Sequence, residues 1–203
     1  MSTYAVIDFE TTGMAPEHGC RPTEIAAVLV RDGLIVDRYQ SLMNAGAFVP
    51  HEIQALTGIT NAMVRTAPRV EQVMTEVADF VGDHAIVAHN AAFDRKFWDA
   101  ELARLGRQRT GDFVCSLLLS RRLFPDVPNH RLATLVHALN LPATGRYHRA
   151  LADAEATAHL FIRLRHELQG RFRLPAVEHD LLLAVQKTAR SGLARCVERF
   201  RDG

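Results

Sequence analysis

Tyr4-Ala5-Val6-Ile7-Asp8-Phe9-Glu10-Thr11-Thr12-Gly13 is the stretch on which the reading of this chain turns. Residues 4 to 9 are nearly continuous in apolar character, as expected of a central strand buried on both faces and covered by helices. Charges at the end of such a strand need partners, because an isolated carboxylate is costly to remove from water. Residues two apart on a strand point to the same side, so Asp8 and Glu10 present their carboxylates together. Asp-x-Glu alone also describes a solvated strand end. Thr11-Thr12-Gly13 reads as the turn that closes the strand.

Working outward, Ile25 to Arg31 and Leu34 to Leu42 are β-rich runs joined by Asp32-Gly33, a hairpin signal, so the first three strands are expected to be consecutive and partly antiparallel. Val70, Val73, Met74, Val77 and Val81 recur at helical spacing, with Pro68 near the helix start. Ala85 to His89 reads as a buried strand. Phe93, Phe97, Leu102 and Leu105 then predict a helix with Asp94 in its first turn and Asn90 as candidate N-cap. A brief strand at Phe113 to Cys115 and helices at Ser116 to Leu123, Arg131 to Asn140 and Ala150 to Leu168 complete an α/β layer pattern. Gly170 to Pro175 reads as a connector, and Val177 to Phe200 as a helical stretch broken at Ser191-Gly192.

The 203 residues suit one well-buried domain with a tail, and 48% hydrophobic with 23% charged residues exclude extended disorder. No apolar run approaches the ~20 residues of a membrane span and no signal-peptide core is evident, so a cytoplasmic protein without membrane contact is expected. Cys20, Cys115 and Cys196 are odd in number and far apart, which implies neither a disulfide framework nor a zinc site. Net charge is +1, but residues 1–168 carry 17 Lys/Arg against 19 Asp/Glu and residues 169–203 carry 7 against 4, so the C-terminal part is basic.

Two further blocks complement Asp8 and Glu10: His89-Asn90-Ala91-Ala92-Phe93-Asp94 and Tyr147-His148-Arg149-Ala150-Leu151-Ala152-Asp153-Ala154. His148 and Asp153 would lie ~140° apart on one continuous helix. They converge if the helix begins near Arg149 and leaves His148 on the preceding loop, where a neutral imidazole can act as a base near pH 7. Four carboxylates suit hard cations such as Mg²⁺, and phosphodiester hydrolysis commonly uses a pair of them.

Together the three blocks resemble the DEDDh (DnaQ-like) family of 3′–5′ exonucleases over residues 4–168, in wording near exonuclease X and the DNA polymerase III epsilon-like proofreading subunits. The resemblance implies a ribonuclease H-like fold. It also implies two divalent cations, Mg²⁺ with Mn²⁺ able to substitute: Asp8 bridges them, Glu10 and Asp153 complete the site, Asp94 supports the second ion, and His148 is the general base. Thr11, Thr12, Glu52, Thr57, His89 and Asn90 correspond to its substrate-facing positions, although Thr57 stands where the proofreading subunit has a histidine. Glu52 would accept a hydrogen bond from a terminal 3′-OH. The same segment also reads as a helix ending at Gly58, with Thr60 capping the next.

The implied activity is release of nucleoside 5′-monophosphates from 3′ ends of DNA, with single-stranded ends as the natural partner and RNA left open. Expected organisation is an exonuclease domain at 1–168 and a basic helical extension at 169–203 that binds a polymerase subunit, pairs two protomers or packs back on the core. Two rivals remain. A non-catalytic nucleic-acid or polymerase-binding module on the same fold would not need the five acidic and histidine positions intact, and a carboxylate glycosidase would leave His148 idle.

Overall fold

The structure, a computed structural model, describes residues 3–146 and 148–201. Strand β1 (Tyr4–Thr11) lies at the centre of a five-stranded sheet ordered β3-β2-β1-β4-β5. β2 (Pro22–Arg31) and β3 (Leu34–Leu42) run antiparallel to their neighbours, whereas β4 (Ala85–Ala88) and β5 (Phe113–Cys115) continue parallel to β1. The β2–β3 hairpin turns through Asp32 at φ 54° and Gly33 at φ 78°, the paired left-handed conformation for which Asp-Gly is suited.

Between β3 and β4 come α1 (His51–Thr57), α2 (Asn61–Thr66) and α3 (Val70–Val81). Helix α4 (Ala92–Arg104) joins β4 to β5, and α5 (Ser116–Leu123), α6 (Leu132–Ala138) and α7 (Ala150–Phe172) follow. Alternation along β1 divides the core. Ala5, Ile7 and Phe9 meet Val73, Val77, Phe97 and Trp98 of α3 and α4, while Tyr4 and Val6 share a cluster with Ala154, Ala158 and Phe161 of α7. Alanines at four-residue spacing on α7 let its backbone lie close against β1 and β2. Asp8 and Glu10 continue the Tyr4–Val6 face and therefore point to the α7 side.

The C-terminal boundary of α7 differs from expectation. Helix α7 does not stop at Leu168 but passes through Gly170 to Phe172. Leu168 is buried in the core and the Arg171 guanidinium donates to the Leu123 carbonyl at 2.7 Å, so tertiary contacts extend the helix past its glycine. It ends at Arg173 in the left-handed region, φ 51°. Helices α8 (His179–Lys187) and α9 (Leu193–Glu198) then bury Leu181, Leu182, Val185, Leu193, Cys196 and Val197 in the same core as α7. The described C-terminal residues thus pack back on the domain. Gln186 of α8 closes the open edge of β5, accepting from Cys115 N–H at 2.6 Å and donating to the Phe113 carbonyl at 3.0 Å. Among the described residues no helix is long and apolar enough to cross a membrane.

Candidate active site

β1 carries Asp8 and Glu10 to the carboxyl end of the parallel strands, where the pairing with β2 shifts register between Glu10 and Thr11. The chain then folds back. Thr12 N–H donates to the Arg21 carbonyl at 2.9 Å, Arg21 N–H donates to Thr12 Oγ1 at 3.0 Å, and Thr11 Oγ1 donates to the Gly13 carbonyl at 2.6 Å. Both threonine hydroxyls are therefore engaged in shaping this turn. Gly13 sits close against Cys20: a Cβ there would lie 2.6 Å from Cys20 Sγ, so that thiol would have to turn aside. Arg21 ties the turn to α4 through a two-armed pair with buried Glu101, 2.8 and 3.0 Å.

Asp94 arrives from the opposite layer. It lies in the first turn of α4, is buried, and its Oδ1 accepts the Phe9 backbone N–H at 3.2 Å, which locks the helix start to the acidic strand end. Asn90 does not cap this helix. It adopts the left-handed conformation, φ 67°, its carbonyl accepts Phe93 N–H, and α4 starts after Ala91 without a side-chain cap. Phe93 packs on Phe97 at 5.1 Å between ring centroids, so it is part of the core layer.

Helix α7 begins at Ala150, which leaves His148 on the preceding loop. His148 is exposed and left-handed, φ 62°, and its backbone N–H donates to Asp153 Oδ2 at 2.8 Å. The other oxygen, Asp153 Oδ1, is buried and has no hydrogen-bond partner. Ligand atoms of Glu10, His148 and Asp153 all lie within 4.8 Å of one another. Tyr147 of the third block lies outside the described residues.

None of Asp8, Glu10, Asp94 and Asp153 has a cationic side chain within ion-pair distance among the described residues. Burial, followed by the charges of Asp94, Asp153, Glu10 and Glu24, holds the Asp8 carboxyl well above its usual range. Burial and then Asp153 lift Glu10 to about 8, and burial lifts Asp94 to about 7. Asp153 is likewise raised by burial, against the His148 N–H that favours its ionised form. Carboxylates crowded out of water without counter-charge call for cations. The orphaned Asp153 Oδ1 and the all-oxygen carboxylate set fit hard divalent ions such as Mg²⁺.

Some expected substrate-facing groups lie elsewhere. Thr57 is buried, donating to the Ile53 carbonyl at 2.9 Å and accepting Ile59 N–H at 3.0 Å, so its hydroxyl is spent within the fold rather than offered to a ligand. Helix α1 indeed ends at left-handed Gly58, and Thr60 caps α2 by accepting Met63 N–H. Glu52 stays exposed in the first turn of α1. His89 uses both ring nitrogens internally, Nδ1 with Ser116 Oγ at 2.9 Å and Nε2 with the His130 carbonyl at 3.0 Å, and burial depresses its pKa to about 4. Its side chain supports the loop that presents Asn90 instead of facing the cleft.

With this geometry in place, likeness to known proteins becomes informative. Residues 5–161 match the RNase_T family of exonucleases. The chain belongs to the DnaQ-like exonuclease family. The DNA polymerase III subunit epsilon of Aquifex aeolicus is 36% identical over 171 residues, covering 84% of each protein. The PolC-type DNA polymerase III of Bacillus cereus is 40% identical over 163 residues, 80% of this chain but 11% of that polymerase. This chain therefore spans about a tenth of the PolC-type relatives. Exonuclease X, solved in complex with 5′ overhanging duplex DNA, superposes with a TM-score of 0.67 at 31% identity, covering 80% of this chain and 91% of that one. Exonuclease I of E. coli with a dT13 oligonucleotide shares the fold, TM-score 0.73 at 19% identity over 85% of this chain and 43% of the other. The architecture is thus the ribonuclease H-like fold of the exonuclease I and X group.

Sequence reasoning missed Glu24 and the partner role of Arg149. Glu24 pairs with Glu10 in the sheet register and its side chain is 1% exposed. A signal was present, since Glu24 is the one acidic residue in the otherwise mostly apolar run of β2, and such a charge is buried only when bound.

Proposed function

We propose that this protein is a metal-dependent 3′–5′ exonuclease that hydrolyses phosphodiester bonds at free 3′ ends of DNA and releases nucleoside 5′-monophosphates. The observation that carries the reading is that Glu10, Asp153 and His148 bring ligand atoms within 4.8 Å of one another while half-buried Asp8 feels the charges of Asp94, Asp153 and Glu10. Asp8, Glu10 and Asp153 would hold a pair of divalent cations, with Asp94 supporting the second. Such ions activate water and stabilise the leaving oxygen when bound.

The chain's own groups divide the remaining work. His148, exposed on its loop, takes a proton from the attacking water and returns it to solvent. Asp153 holds the His148 backbone through Oδ2 and keeps Oδ1 for the cation. Glu52 on α1 and the Thr11-Thr12-Gly13 turn flank a terminal 3′-OH, and Asn90 faces the nucleotide. DNA as substrate is supported by the relatives' being polymerase subunits and by the DNA bound to exonuclease X.

The deciding assay incubates the protein with end-labelled linear and circular single strands, duplexes and RNA, with Mg²⁺ or EDTA. Mononucleotides released from the 3′ label, intact circles and complete inhibition by EDTA are expected. Efficient cutting of circles, or activity undiminished by EDTA, refutes the reading.

A further inference from the structure

Glu24 adds a fifth negative charge to a site already crowded with four, and it is the one whose oxygens are fully engaged. Gln40 Nε2 donates to its Oε1 at 2.8 Å from β3. Arg149 donates through Nη2 to Oε1 at 2.8 Å and through Nε to Oε2 at 3.1 Å, and the Ala150 backbone N–H donates to Oε2 at 3.0 Å. Three of these four donors belong to the two residues that immediately follow His148.

His148 needs such support. Its φ of 62° is a left-handed conformation that side-chain-bearing residues seldom adopt and that persists only when surrounding contacts over-determine it. One restraint comes from its own helix, the N–H donated to Asp153 Oδ2. The other comes from β2, where Glu24 grips the Arg149 side chain and the first N–H of α7 together. A planar guanidinium meeting a carboxylate by two parallel bonds fixes direction as well as distance, which a lysine could not do. Gln40 in turn holds the Glu24 carboxylate from the far side.

We propose that Glu24 and Arg149 form a positioning pair that holds the His148 turn in its working orientation, so that Glu24 serves the reaction through His148 without touching substrate. The inference rests on the exonuclease reading given above. An ordinary ion pair tying α7 to β2 would contribute to stability alone. A positioning pair lowers turnover only while there is a His148 side chain to misplace.

The experiment uses the full chain carrying Glu24→Gln, which keeps the shape and removes the charge. Turnover on a 3′-labelled oligonucleotide is expected to fall about 10- to 100-fold, the usual worth of a residue that orients a catalytic group, with KM within about twofold. Placed in a His148→Ala background, the same substitution should lower the residual turnover less than about twofold, because residues acting as one unit are not additive. An activity-free arm follows trypsin cleavage of the Arg149–Ala150 bond in the native protein with EDTA. Release of the guanidinium should speed that cut by roughly tenfold or more. Should a single variant fail to fold, Glu24→Gln/Arg149→Met removes both charges and its turnover carries the same expectation. Wild-type turnover in Glu24→Gln, an equal loss in the His148→Ala background, or unchanged tryptic cleavage overturns the proposal. Wild-type protein that releases no nucleotide yet protects Arg149–Ala150 sinks the exonuclease reading while leaving the grip of Glu24 on this turn demonstrated.

Discussion

Two buried polar regions flank the sheet, and they are built on opposite principles. At the outer edge, Gln186 gives both ends of its amide to the β5 backbone and leaves neither unpaired. At the end of β1, Asp8, Glu10, Asp94 and Asp153 crowd together, and among the described residues they have no cationic side chain in ion-pair reach and Asp153 Oδ1 has no hydrogen-bond partner. The first arrangement lowers the free energy of the fold; the second raises it and is tolerable only if something else binds there. Satisfied burial is architecture here, and unsatisfied charge is what the proposed site is made of.

That contrast breaks most visibly at Asp8. Asp8→Asn should reduce nucleotide release to well below a tenth of wild type, since losing a cation costs several kcal/mol of transition-state stabilisation. In EDTA its melting temperature should equal or exceed that of wild type, because one of the repelling carboxylates is gone. Retention of more than about a tenth of turnover refutes a bridging role for Asp8.

Next in size is the division between base and ligand. His148→Ala should lower turnover by ~10² to 10⁴ while calorimetric titration with Mn²⁺ remains nearly unchanged, whereas Asp153→Ala should weaken the titration itself. Equal loss of Mn²⁺ affinity in the two variants would make His148 a ligand, which its place within 4.8 Å of Glu10 and Asp153 ligand atoms would accommodate.

The satisfied region should respond in stability alone. Gln186→Leu strands the Cys115 N–H and the Phe113 carbonyl and should cost about 2 kcal/mol, or roughly 4–8 °C in Tm for a chain of this size, with Mn²⁺ affinity intact. A melting temperature within about a degree of wild type would show that water or a shifted α8 replaces the amide.

The smallest effect is the pH dependence of the metal-free protein. Glu10 at about 8 and Asp94 at about 7 lie above their unfolded values of ~4, so between ~4 and ~8 the folded form holds the extra protons and stability falls as pH rises. His89 acts in the other direction. Held at about 4 in the fold, it lets the unfolded chain take up protons first below ~6.5, and that contribution is lost as pH falls. In EDTA the two carboxylates outweigh the single histidine, so the melting temperature should fall from pH 4.5 to pH 8.5, most steeply between ~6.5 and ~8 where His89 no longer opposes them. Added Mg²⁺ should raise it more at pH 8.5 than at 6.5, and an equal increment at both would argue against cations replacing those protons.

Much of this was legible in the chain. The nearly continuous apolar run of Tyr4 to Phe9 marked a strand buried on both faces, Asp32-Gly33 marked the hairpin, and the spacing of Val70 to Val81 marked the helix α3. The five-residue interval from His148 to Asp153 required a helix start near Arg149, where it is found. Less legible were the roles of polar residues that can satisfy themselves. Thr57 and His89 carry groups suited to substrate, but each had neighbours in the fold that claimed those groups first. Glu24 was passed over because a single charge in a strand has no local period to betray its partner, which lies 125 residues away.

The sequence by itself determined most of the elements and their order, because apolar periodicity and turn chemistry act over a few residues, and the candidate carboxylates came from the resemblance of its three blocks to the exonuclease family. Only the tertiary structure decided how those carboxylates share their environment. Burial of Glu10 beside Asp153, the lock of Asp94 on the Phe9 N–H and the grip of Glu24 on Arg149 join residues far apart in the chain. Dielectric, charge repulsion and competition for hydrogen bonds are set by what folding brings within a few ångströms, and no local window of sequence contains that information.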